Sequence, residues 1–312
     1  MVDYIIYGKI IIDDIRLSGG EMVRCVLGGG GPQAAFGARL WSPSVGILTR
    51  SGTDIEPEPK AALENLDIDL QGWMQYENIP TPHSVMAYDE NEYMVDTVAY
   101  DIRINTFMEK MGYLLSKIIP IPADYQNPKV IHLITEFVDE PMANKALEMK
   151  ENGSIYSLEP LIDYRNWFNR EAMMNYFQYV DIVTPDWPSA SGLAGSDIPK
   201  EVVRFWSKLG PTCVAIRDGV RGSYVWDKET DKMWHIPIVR IKSIDPTGCG
   251  NSYGGGFCVG WEKNHDARKA GCCGTVSASY LAKNISLPPF TKEMEQEAQK
   301  IWEELFDRVE TM

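Results

Sequence analysis

The chain has 312 residues, 44% of them hydrophobic and 24% charged, which suits one large soluble α/β domain, 1–312, with room for a small appendage. A formal net charge of −14 argues against a nucleic-acid partner, which needs a positive field, although backbone N–H groups at a helix start can still hold a small anion. The six cysteines lack C-x-x-C metal spacing, Met1-Val2-Asp3-Tyr4 lacks a basic leader, and no run of about 18 apolar residues occurs, so we expect a cytoplasmic protein with reduced thiols and no membrane partner.

Tyr4 to Tyr7 and Ile10 to Ile12 are β-rich and interrupted by Gly8, which predicts a buried strand and a second extended piece. Gly28-Gly29-Gly30-Gly31-Pro32 then breaks the chain, and Pro32 predicts the first turn of a helix over 32–41. Val85-Met86-Ala87-Tyr88 and Tyr93-Met94-Val95 flank the polar tip Asp89-Glu90-Asn91-Glu92, as in a β-hairpin. Before residue 100 no strand–helix alternation is read outside that one helix. Beyond residue 128 strands and helices alternate: strands over 130–134, 154–158, 181–184 and 213–217, helices over 141–150, 170–177 and 199–209. Such alternation implies a mostly parallel sheet covered on both faces. Met294, Ala298, Ile301, Trp302, Leu305 and Val309 recur at helical spacing and predict an amphipathic closing helix.

The most informative stretch is Asp245-Pro246-Thr247-Gly248-Cys249-Gly250-Asn251, followed by Ser252-Tyr253-Gly254-Gly255-Gly256. Gly248 and Gly250 allow close approach of backbone to a ligand, and a helix beginning there would aim several N–H groups at one point. Glycine clusters also serve where helices pack tightly, so the pattern alone leaves both uses open.

This segment resembles the second signature of the PfkB carbohydrate-kinase family. Other landmarks fall in the family's order. Gly8-Lys9-Ile10-Ile11-Ile12-Asp13 resembles its first strand and substrate-binding aspartate, and Gly28 to Leu40 its di-glycine turn and helix. Val180 to Asp186 resembles the strand leading to its Asn-x-x-Glu motif, and Val214 to Gly222 the strand and turn beside the nucleotide. The likeness covers essentially the whole chain and is greatest to the branch containing fungal maintenance-of-killer proteins. It implies a three-layer α/β/α ribokinase-like fold with a mostly parallel central sheet and a small β-lid from segments near 10–25 and 80–100. It also implies ATP and Mg²⁺ as cofactors, a small-molecule substrate, and a homodimer formed through the lid.

Carried over residue by residue, the resemblance assigns Gly248, Cys249, Gly250 and Asn251 to the catalytic turn. It assigns Asp13, Gly29, Gly30 and Gln33 to the substrate, and Asp186, Arg217, Gly219 and Gly222 to the nucleotide, with Asp186 also the metal candidate. Three motifs depart from the pattern. Asn251 replaces the aspartate that takes the substrate proton, and an amide cannot accept a proton near neutral pH. Asp186-Trp187-Pro188-Ser189 replaces Asn-x-x-Glu, and Ile11 and Gln33 replace two asparagines. Three readings follow. One is an ATP-dependent kinase for a hydroxyl of a sugar, nucleoside or related molecule, with weakened or altered base chemistry. Another is a hydrolase that reuses the anion hole with Cys249 as nucleophile. The third is a ligand-binding pseudokinase.

Overall fold

The structure, a computed structural model, describes residues 1–17, 19–87, 107–162 and 167–312. Its first half comprises β1 (Tyr4–Tyr7), β2 (Ile11–Arg16), β3 (Met22–Gly28), α1 (Gly31–Arg39), β4 (Val45–Gly52), α2 (Pro57–Glu64), β5 (Asp69–Tyr76), β6 (His83–Ala87) and α3 (Phe107–Leu115). Then follow β7 (Val130–Thr135), α4 (Pro141–Glu151), β8 (Ile155–Pro160), α5 (Arg170–Tyr176), β9 (Ile182–Val183), α6 (Trp187–Ala194), α7 (Pro199–Ser207) and β10 (Cys213–Arg217). The chain ends with β11 (Ser223–Asp227), β12 (Met233–Ile236), α8 (Cys249–Asn264), α9 (Ala267–Ala282), α10 (Lys292–Phe306) and β13 (Glu310–Thr311).

β1 is apolar on both faces because both are covered. Tyr4 and Ile6 enter one core, Ile5 and Tyr7 the other, the pattern of a central parallel strand. It lies in a sheet of order β13-β12-β11-β10-β9-β8-β7-β1-β4-β5. Pairing is parallel from β5 to β10 and antiparallel from β10 to β13. One face packs on α1, α8, α9 and α10, the other on α4 to α7. This is the expected three-layer ribokinase-like architecture. A second sheet, β3-β2-β6, forms the lid, with β2 antiparallel to β3 and parallel to β6. It matches the lid segments as far as they are described; residues 88–106, with the second arm of the predicted hairpin, lie outside the described residues.

The expectation of no alternation before residue 100 is wrong. β4, α2 and β5 form a further strand–helix–strand unit of the main sheet. All eight residues of β4, Val-Gly-Ile-Leu-Thr-Arg-Ser-Gly, are buried, so no period of two marks it, and its glycines and Arg50 break the apolar run. β5 is an edge strand carrying Asp69, Gln71 and Gln75. The hairpins β10–β11 and β11–β12 and the edge strand β13 were likewise not read from the sequence.

α1 and α8 set the position of the site. A Cβ at Gly37 would fall 2.0 Å from the Ser252 carbonyl oxygen, and one at Gly255 would fall 1.9 Å from that of Ala34. The two helices therefore touch backbone to backbone, and their N-terminal turns are held side by side. Gly255 serves helix packing, while Gly248, with φ +76°, makes the turn that starts α8.

Candidate active site

α8 begins at Cys249, with Gly248 as its N-cap and no side chain bonded to the cap. Helix geometry leaves the N–H groups of Gly250 and Asn251 without an acceptor inside the helix. Residues 246–251 are only partly buried, so this end of α8 is open to a ligand. Asp245 braces the turn by accepting the Thr247 N–H at 2.9 Å. Its other carboxylate oxygen is buried with no hydrogen-bond partner among the described residues.

Two turns meet at this point. Asn251 lies against Gly30, whose Cβ, if present, would be 3.0 Å from Nδ2, and Gly248 lies against the Gln33 side chain. Gln33 first braces its own turn, accepting the Gly30 N–H at 3.1 Å and donating to the Leu27 carbonyl at 2.7 Å. Gly29, with φ +97°, passes so close to the Lys9 carbonyl that a Cβ would fall 2.4 Å from its oxygen. Lys9 is itself buried and paired with Glu136.

On the lid side, Asp13 is buried against Gly28 and accepts a 2.7 Å bond from Ser84 on β6. Burial pushes its carboxyl up to about 6, and the charges of Asp14 and Asp245 add to that, against the Ser84 bond. On the opposite side, β10 ends at Arg217, which bridges to Asp186, the residue preceding α6. Burial also raises Asp186, outweighing the neighbouring Arg217 and Ser189. Gly219 and Gly222 bound the short turn after β10, closed by an Asp218 N–H to Gly222 carbonyl bond of 2.8 Å. The two glycines build that turn; their part in binding a nucleotide rests on the sequence resemblance.

The residue that sequence reasoning missed is Glu159, at the end of β8. It is 1% exposed and lies under the start of α8. Its Oε1 accepts from Asn251 Nδ2 at 2.8 Å and from Arg217 Nη1 at 2.8 Å. Burial drives its pKa up, but Arg217 and His132 prevail and hold it below the usual carboxylate range. His132 bonds Ser157 through Nδ1 at 2.8 Å and turns Nε2 toward Glu159, 3.7 Å away. A lone acid closing the otherwise uncharged strand Ile155–Pro160 was the available signal, since sites in such sheets gather at strand C-termini.

Cys249 is half-buried, its thiol 3.9 Å from the Asp245 carbonyl. Of the four histidines, His132 bonds Ser157, His235 bonds the Arg221 carbonyl, His265 packs on Trp261 and His83 faces Glu56. All six cysteines are unbridged. Among the described residues no helix is long and apolar enough to cross a membrane.

The chain is similar to characterised kinases along most of its length. It is 27% identical over 263 residues to a cytidine kinase of Thermococcus kodakarensis, covering 84% of this chain and 90% of that one. A nucleoside kinase of Methanocaldococcus jannaschii is 23% identical over 279 residues, covering 86% and 84%. Among solved structures, a ribokinase-II-like protein of E. coli in complex with ATP and Mg²⁺ superimposes with a TM-score of 0.74 at 14% identity, covering 97% of this chain and 100% of the other. The sequence model of the pfkB family of carbohydrate kinases matches residues 5–287, and on that match, over a ribokinase-like fold with both signature turns side by side, the chain belongs to the PfkB family.

Proposed function

We propose that this protein transfers the γ-phosphoryl group of ATP to a hydroxyl of a nucleoside or related sugar, at the start of α8 and with reduced base assistance. The observation that carries the reading is the juxtaposition of the uncapped α8 N-terminus with Arg217 on one side and the Gly30 turn on the other. N–H dipoles and a guanidinium converge where a transferring phosphoryl would need charge stabilised. Phosphoryl transfer depends mostly on positioning and electrostatics, so it can survive the loss of a base. That loss typically costs about 10²–10⁴ in rate.

In this reading Asp13 accepts a hydrogen bond from a substrate hydroxyl and fixes its position. Asn251 accepts one from the reacting hydroxyl through Oδ1 but cannot keep its proton. The oxygen–phosphorus bond to substrate forms, the bond to the ADP oxygen breaks, and the proton passes to solvent or a phosphate oxygen. Mg²⁺ is usually held by one or two carboxylates together with substrate phosphates. Asp186 is the carboxylate that fits this role, and the ion would neutralise phosphate charge. A nucleoside is favoured over a simple sugar because the relatives above are a cytidine kinase and a nucleoside kinase and because Ile11 stands where a hydroxyl-binding asparagine is usual. Pairing of two lids into a homodimer belongs to the same proposal.

The test is transfer of labelled phosphate from [γ-³²P]ATP, with Mg²⁺, to a panel of cytidine, uridine, adenosine, ribose and fructose. Slow, Mg²⁺-dependent labelling of at least one nucleoside is expected. No labelled product from any acceptor, together with no stabilisation of the fold by Mg²⁺ and ATP, would favour the pseudokinase reading. Turnover of an ester without ATP, lost in Cys249→Ala, would favour the hydrolase.

A further inference from the structure

The charge of this site is carried one layer below the position that the resemblance emphasises. Asn251 Nδ2 and Arg217 Nη1 share the same oxygen of Glu159, each at 2.8 Å. The groups facing Glu159 are Arg217 from β10, His132 from β7, Asp186 from the start of α6, and Asn251 from α8. One guanidinium therefore already serves two carboxylates. Among the described residues Glu159 Oε2 and His132 Nε2 are both buried with no hydrogen-bond partner, and a Cβ at Gly254 would fall 2.8 Å from each. Little space remains for Glu159 to turn.

We propose that Glu159 is the positioning residue of the site: anchored by Arg217, it accepts the Asn251 amide N–H, turns Oδ1 toward the reacting hydroxyl, and holds the negative charge that the family keeps at position 251. This rests on the kinase reading for its catalytic meaning, but the coupling between the two residues does not. A consequence is that Asn251→Asp by itself does not restore a working base. It sets two carboxylates at hydrogen-bond distance, and such a pair retains a shared proton at neutral pH. Glu159→Gln, introduced with it, removes the repulsion and supplies an amide donor for the new aspartate.

The experiment compares wild type, Asn251→Asp, Glu159→Gln and the double variant, by thermal melting between pH 5.5 and 8.5 and by phosphoryl transfer. Asn251→Asp should lower the melting temperature by about 4 °C at pH 8.5 and much less at pH 5.5, since a carboxyl held protonated in the fold loses stability as pH rises. The double variant should regain most of that loss. In kcat at pH 7 the double variant should exceed Asn251→Asp by about 10-fold or more, with KM little changed, and the profile of Asn251→Asp should climb toward alkaline pH. Glu159→Gln alone should lower kcat, a loss that a purely structural role would not couple to residue 251. Additive melting shifts, independent of pH, overturn the proposal, as does Asn251→Asp matching the double variant at pH 7. A coupled melting cycle without phosphoryl transfer by any variant supports the Glu159–Asn251 coupling and removes the kinase reading.

Discussion

Burial holds the Asp13 carboxyl at about 6, above its ordinary 3.8, and this has a direct cost. Because the folded pKa is raised, the contribution of Asp13 to stability is complete below about pH 4 and is lost as pH rises through 6. A gap of roughly two pKa units is worth about 3 kcal/mol at most, and the side chain is only 4% exposed, so solvent screens little of it. Asp13→Asn should therefore raise the melting temperature clearly at pH 8 and much less at pH 5, while weakening substrate binding. An equal shift at both pH values, or a loss of stability at pH 8, would show that Asp13 is not a charged group kept for function. Glu159 behaves in the opposite sense. Its folded pKa is depressed by Arg217 and His132 against the effect of burial, so it stabilises the fold above its unfolded pKa and ceases to do so as pH falls through the folded value.

The contact between α1 and α8 transmits residue positions into site geometry. Gly255→Ala would push a methyl group against the Ala34 carbonyl, which is backbone and cannot swing aside. Overpacking of this kind costs about 1–3 kcal/mol. Urea unfolding should show that loss, and phosphoryl transfer should fall with it because Gly30 and Asn251 are drawn apart. Unchanged stability would mean that the helices are less tightly apposed than described. These elements also show what the sequence made legible. The turn at 245–251 and the run at 28–32 are local, their glycines being consecutive or one residue apart, so their shape is readable before folding, while the use assigned to them rests on the family resemblance. Asp13, inside β2, was assigned through that resemblance as well. Glu159 was not, because its partners Asn251 and Arg217 are 92 and 58 residues away. His132 likewise turns toward Glu159 across neighbouring strands β7 and β8. β4 was hidden for another reason: a strand buried on both faces loses the alternation that identifies strands, and Arg50 interrupts its apolar run.

At the scale of the whole molecule, the lid carries Asp13 and Ser84, the main sheet carries Glu159, His132 and Arg217, and the two groups meet through Gly30, Gln33, Gly248 and Asn251 where α1 and α8 start. The account requires a transferring phosphoryl at that junction. Its most direct test is labelled phosphate transfer from ATP to cytidine by the wild type and by Gly250→Ala, side by side with Mg²⁺. A Cβ at Gly250 would fall 2.1 Å from Arg217 Nη1; the flexible guanidinium can move, so the fold should survive while Arg217 leaves Glu159. A displacement of about 1 Å at a reacting centre can cost about 10²-fold. The account predicts slow transfer by the wild type and a loss of that order in Gly250→Ala, whose melting temperature should also fall because the buried Glu159 loses its guanidinium partner. Equal transfer by the two proteins would contradict it.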